Sequence, residues 1–178
     1  PVASRAPRLW ALWAASRPSQ VALVLLVYAL GVAMAAAGGP VVAGGRAGLT
    51  TPAATRAVLV GGLALVPVTV AVHYANEYAD VETDRRTDPT PFSGGGGALV
   101  ATGLPRSFLR RGTALAVTAA LLAIAGAALA GLPVDALALL VLGLLGGLAY
   151  SLPPVALVRR GVGEAANATL GAVVLPAY

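Results

Sequence analysis

The chain contains no cysteine and no lysine, one histidine and few charges of either sign. Without cysteine, neither a disulfide framework nor a thiolate metal centre can form. Charged side chains make up 11% of the 178 residues, against about 25% in a soluble domain. Hydrophobic residues reach 58% and mean hydropathy is +0.83. A water-soluble globule is therefore excluded, and the composition is that of an integral membrane protein in a lipid bilayer. The formal net charge is +5, and all twelve basic residues are arginines scattered between apolar runs. Scatter of that kind sets membrane topology; it does not form the basic patch that nucleic acid requires.

The acidic residues are not scattered. Four of the seven lie in His73-Tyr-Ala-Asn76-Glu77-Tyr-Ala-Asp80-Val-Glu82-Thr-Asp84, and Asp88 follows closely. Asn76, Asp80 and Asp84 recur every four residues, so on a helix each step turns the side chain by only about 40° and rises about 6 Å. The three line one face over about 12 Å, an arrangement suited to hard divalent cations. Oxygen donors without cysteine and with a lone histidine favour magnesium over zinc. Magnesium keeps positions open for phosphate oxygens, which points to a substrate bearing a diphosphate. His73, one turn earlier, reads as a packed or interfacial side chain.

Five apolar stretches surround this segment, at about 19–37, 56–84, 106–131, 134–152 and 164–178. Trp10 and Trp13, with Arg5 and Arg8 nearby, form an interfacial anchor ahead of the first span; a disordered leader is the alternative. Ser16-Arg17-Pro18 is a helix start, with serine as cap and proline in the first turn. Ala35-Ala36-Ala37 resembles a signal-peptide cleavage site, but the apolar run is long for one and more spans follow. Residues 38–55 read as a loop. Pro89 and Pro91 stop the second helix, and Thr90 to Gly97 form a glycine-rich loop whose amides are free to approach an anion, with an ordinary linker as the bland alternative. The fourth span closes at Tyr150-Ser-Leu-Pro153-Pro154, followed by Arg159-Arg160-Gly161. The sequence opens on Pro1 and stops at Tyr178 inside an apolar run, so residues 1–178 read as a single truncated membrane domain.

Ten of the twelve arginines fall on one side of this topology: before the first span, after the second and after the fourth. The positive-inside rule assigns that side to the cytosol of a multi-pass protein in the cell (inner or plasma) membrane. The acidic ladder, the glycine loop, Tyr150, Arg159 and Arg160 then share the cytosolic face. Two other readings of the ladder remain at this point. It is either an ordinary juxtamembrane charge cluster, or the cation or proton path of a polytopic transporter or non-catalytic scaffold.

Asn76-x3-Asp80-x3-Asp84 resembles the first aspartate-rich motif of the UbiA superfamily of intramembrane polyprenyltransferases. Arg17-Pro18 before the first span, Pro91-Phe92-Ser93-Gly94-Gly95 after the motif, and Tyr150-Ser151-x-Pro153-Pro154 with Arg160-Gly161-x-Gly163-Glu164 match in order. The glycine-loop stretch is similar to the branch that prenylates dihydroxynaphthoate in menaquinone biosynthesis. The resemblance implies an all-α, polytopic bundle of about nine transmembrane helices, of which this chain carries the first five. It implies magnesium-dependent transfer of a polyprenyl group from its diphosphate to an aromatic acceptor. Asn76, Asp80 and Asp84 then become metal ligands, with Asp80 and Asp84 the catalytic pair. Glu77 stands where many members have aspartate. Arg85, Tyr150, Arg159 and Arg160 become contacts to the diphosphate substrate, and an arginine at 159 or 160 replaces the lysine that related sequences often carry at the position of Val158. A second aspartate motif is implied on a sixth helix, which this sequence does not reach, so the chain alone is expected not to turn over.

Overall fold

The computed structural model describes residues 6–37, 51–86 and 97–178. The start of the leader with Arg5, the 38–50 part of the expected loop with Arg46, and residues 87–96 with Asp88 and most of the glycine loop lie outside them. The elements are α1 (Pro7–Ala15), α2 (Pro18–Ala36), α3 (Pro52–Asp84), the short α4 (Ala98–Thr102), α5 (Arg106–Leu129) and α6 (Val134–Ser151). A 3₁₀ turn (Leu157–Arg160) leads into α7 (Gly163–Thr169), which passes through a π-helical stretch (Leu170–Val174) into a last turn (Leu175–Ala177). No strand occurs among the described residues.

The long α3 is the axis of the bundle. It packs along α5 most extensively, then along α6, with α2 on another side. Small side chains make this approach possible. Ala64 and Ala71 of α3 and Ala116, Ala120 and Ala127 of α5 are buried together with Leu65, Val68, Leu140 and Leu144. Gly147 of α6 lies directly against Val72 of α3, where a Cβ would overlap the valine side chain. Close backbone approach through small residues is how helices associate where lipid removes the hydrophobic drive.

The outward faces are as apolar as the interior. Leu26, Leu63, Leu122 and Leu145 are 66%, 73%, 68% and 59% exposed, one on each of the four long helices. Four stretches, Pro7–Ala36, Pro52–Asp84, Arg106–Leu129 and Val134–Ser151, are long and apolar enough to cross a membrane. Leucine-covered outer faces on such helices suit lipid and not water. Over its described residues the protein is an all-helical membrane protein.

Helix boundaries follow local chemistry. The second long helix begins at Pro52, one turn before Arg56, so residues 52–55 join the helix and not the preceding loop. Thr51 caps it, its hydroxyl accepting from the Ala54 amide at 3.2 Å, and Pro52 takes the first helical position. At 33 residues the helix is about 50 Å long, well beyond a hydrocarbon core of about 30 Å. α5 stops at Leu129, and Gly131 makes the turn to α6 at a φ of 83°, which favours glycine. The helical segment from Gly163 to Ala177 runs up to Tyr178 and is not among the four crossing stretches.

Candidate functional site

The surplus length of α3 carries the acidic residues. Two short elements support this end. α1 lies beneath it and contributes Ala15 to a cluster with Val81, Ala98, Leu99 and Leu109. The Tyr74 hydroxyl donates to the Leu12 carbonyl at 3.0 Å and fixes α1 to α3. Arg106, at the start of α5, lies over the Tyr78 ring at 4.3 Å and donates to the Tyr78 carbonyl at 3.0 Å.

Between α1 and α2 the chain turns sharply at Arg17, whose φ of 50° and ψ of 67° are left-handed. A proline follows, and the residue before a proline is pushed out of the right-handed helical region. The left-handed alternative costs a non-glycine residue roughly 1–2 kcal/mol. Side-chain bonds offset that cost. The turn directs the Arg17 guanidinium onto the acidic face of α3, where Nη2 lies 3.4 Å from Glu77 Oε2. The arginine side chain is 13% exposed and the glutamate 1%, so this is a buried ion pair. The other carboxylate oxygen of Glu77 accepts from the Ala98 amide at 2.6 Å and holds the first turn of α4.

Asn76 sits between this pair and the ladder. A guanidinium only donates and an ionised carboxylate only accepts, so an amide between them has one satisfied orientation. Its oxygen accepts from Arg17 Nη1 at 3.0 Å, and its nitrogen donates to Asp80 Oδ2 at 3.1 Å and to Ser151 Oγ at 3.0 Å. Ser151, the last residue of α6, is fully buried. Asp80 is half-buried and lies within the fields of Asp84, Arg17, Glu77 and Arg159. Arg17 is already paired with Glu77, so Asp80 lies between a second carboxylate, Asp84, and the nearby charge of Arg159.

Arg159 reaches the same place from the 3₁₀ turn, donating to the Ala79 carbonyl at 3.3 Å, next to Asp80. Tyr150 is half-buried at the end of α6, and its ring edge would lie 3.4 Å from a Cβ on Gly163. Two of the expected substrate contacts do not converge here. Arg85 pairs with Glu82 at 3.2 Å, both about 60% exposed. Arg160 is exposed and donates to the Pro154 carbonyl of its own turn at 2.8 Å. His73 Nε2 is buried without a hydrogen-bond partner among the described residues.

Three residues of this site carried little weight in the sequence. Arg17 stood out only as the residue before Pro18, Glu77 only as a spare oxygen donor, and Ser151 only as part of a loop motif. Their partners lie 60, 21 and 75 residues away, so local spacing holds no trace of them.

Among the described residues no three His, Cys, Asp or Glu side chains gather into a ready-made metal cage. Asp80 and Asp84 still fit magnesium. That ion binds through one or two carboxylates, keeps several waters and takes its remaining ligands from substrate phosphates. Comparison with models of protein families, with curated proteins and with solved structures gives no match to this chain.

Proposed function

We propose that the chain belongs to a magnesium-dependent prenyltransferase of the UbiA type, carrying a polyprenyl group from its diphosphate to an aromatic acceptor in quinone biosynthesis, menaquinone foremost. The observation that carries this reading is the end of α3, where Asp80 and Asp84 share a stripe beside a guanidinium from a distant turn. A half-buried carboxylate pair next to fixed positive charge suits a ligand that is itself a cation–diphosphate complex. The proposal sets this end in the cytosol, on the arginine-rich side of the membrane.

Each residue then has a role. Asp80 and Asp84 bind and orient the metal–diphosphate head. Magnesium, when bound, supplies Lewis-acid neutralisation of the leaving diphosphate. Arg159, anchored on the Ala79 carbonyl, lends a further charge-assisted donor to phosphate. Arg85 and Arg160 are exposed and held only by neighbours in their own segments, so both are free to turn toward the same group. The allylic carbon–oxygen bond breaks with its electron pair leaving on diphosphate. The acceptor ring carbon forms the new bond and loses its proton. The tail would lie along the apolar helix faces, where a small crevice is lined by Leu65, Val68, Leu140, Gly143, Leu170 and Tyr178. From Val68 to Asp80 the helix rises about 18 Å, so the crevice lies that far into the bundle from the acidic end.

The test uses the chain in lipid nanodiscs. Geranylgeranyl diphosphate is expected to bind in the presence of magnesium and to lose about tenfold or more in affinity with EDTA, about 1.4 kcal/mol. Binding indifferent to magnesium overturns the reading. Transfer to dihydroxynaphthoate, measured on a form that also carries the implied second aspartate motif, decides the acceptor.

A further inference from the structure

We propose that Arg17 and Asn76 are positioning residues that set the direction of the Asp80 carboxylate, and that Asn76 acts as a hydrogen-bond relay and not as a metal ligand. The relay stands on the geometry alone; only what Asp80 does once held rests on the magnesium–diphosphate reading.

Polarity matching fixes the orientation of the amide. Three side chains lie in a row: a guanidinium, an amide and a carboxylate. With the amide in the one orientation its neighbours satisfy, Arg17 Nη1 donates to the Asn76 oxygen at 3.0 Å, and the Asn76 nitrogen donates to Asp80 Oδ2 at 3.1 Å. Turning the amide over would face its oxygen to the carboxylate and its nitrogen to the guanidinium, so that neither contact could form. For Asn76 to ligate a cation, its oxygen would have to leave Arg17 and its nitrogen would have to leave Asp80. The oxygen that the four-residue spacing offers to a metal is therefore already in use.

The surroundings hold the relay in place. Ser151, at 0% exposure, accepts from the same amide nitrogen at 3.0 Å and fixes it from the α6 side. Arg17 is held from the other side by Glu77, itself 1% exposed and bonded to the α4 amide of Ala98. Residues from four elements thus define where one half-buried carboxylate points. Asp84, a turn further on, has no counterpart to Asn76 among the described residues, and its neighbour Arg85 turns instead to Glu82. The two aspartates of the pair are consequently unequal: Asp80 is aimed by the fold, and Asp84 is left to follow its ligand.

The chain is suited to a direct test, because Asn76 and Asn167 are its only asparagines and Asn167 is exposed. Selective ¹⁵N-asparagine labelling in nanodiscs gives two side-chain amides, and their hydrogen exchange is read by NMR. The Asn76 amide is expected to exchange on the order of tenfold more slowly than Asn167 and to lose that protection in Asp80→Ala, which removes its charged acceptor. Arg17→Gln is expected to act the same way; should that variant fail to fold, Ser151→Ala and Asp80→Ala carry the test. Protection unchanged in Asp80→Ala overturns the relay. Adding magnesium and geranylgeranyl diphosphate gives the second arm. Slow exchange that persists supports the relay in the bound state, whereas an Asn76 amide freed by the ligand means that its oxygen has been recruited and overturns it. Binding is established first by an isotherm on the same nanodiscs; if it shows no magnesium-dependent binding of the diphosphate, the prenyltransfer reading fails, and the relay is decided by Asp80→Ala alone.

Discussion

Asp80 and Asp84 repel one another across one helical turn, and like charges at that spacing cost roughly 0.2–0.5 kcal/mol. Binding and stability should therefore respond in opposite directions. Asp84→Asn is expected to leave the chain as stable or slightly more so in detergent, while magnesium-dependent binding of geranylgeranyl diphosphate falls about tenfold or more. Thermal unfolding and a binding isotherm on the same preparation check both halves. Glu77 behaves in the reverse sense. Its carboxylate is buried against Arg17 and the Ala98 amide, and removing one partner of a buried ion pair costs about 3–5 kcal/mol. Glu77→Gln is expected to lower the unfolding free energy by that order, and a double-mutant cycle with Arg17→Gln should be strongly non-additive. Unaltered stability of Glu77→Gln would show that water reaches the pair. Asp80 and Asp84 were legible as a pair from spacing alone. The division of labour between Glu77 and the ladder was not, because residue 77 differs from them only in where α1, α2 and α4 come to rest.

At the scale of elements, two junctions control how α3 presents its acidic end. Thr51 caps its far end, and Thr51→Ala is expected to cost about 1 kcal/mol, read as a modest drop in melting temperature with binding preserved. Gly147 is a close approach between α6 and α3, and the side chain it faces is the β-branched Val72. Valine is stiff at χ1 and cannot swing aside, so Gly147→Ala should force the helices apart at a cost of about 1–3 kcal/mol. Ser151 lies one turn further along α6 and bonds to Asn76. That displacement should therefore weaken diphosphate binding as well as stability, unlike the effect of Thr51→Ala. The four long helices could be read from their apolar runs, and α3 could have been started at Thr51-Pro52 by its cap signal. The turn at Arg17 and the short α4 could not, since neither has enough length to show a period.

For the molecule as a whole, the arginine distribution predicts that the acidic end of α3 faces the cytosol, as the proposed function requires. The absence of cysteine makes this simple to test, because any thiol introduced is the sole target of a maleimide. Ser107, exposed at the start of α5, and Ala53, exposed at the far end of α3, lie at opposite ends of the bundle. In intact cells an impermeant maleimide is expected to label Ala53→Cys directly and Ser107→Cys only after permeabilisation; the opposite pattern would invert the topology and with it the access of a cytosolic diphosphate.

The sequence by itself determined that this protein is helical, lives in lipid and gathers its carboxylates at one end of one long helix. Those properties follow from composition, hydrophobic run length and a four-residue repeat, all local along the chain. Only the tertiary structure decided which polar groups hold which. It brought Arg17, Ser151 and Arg159 to residues 76–80 from 60 or more positions away. It also set the Asn76 amide between Arg17 and Asp80, the contacts from which the proposed relay is argued. In a low-dielectric interior a donor must meet an acceptor, and which acceptor it meets is settled by packing.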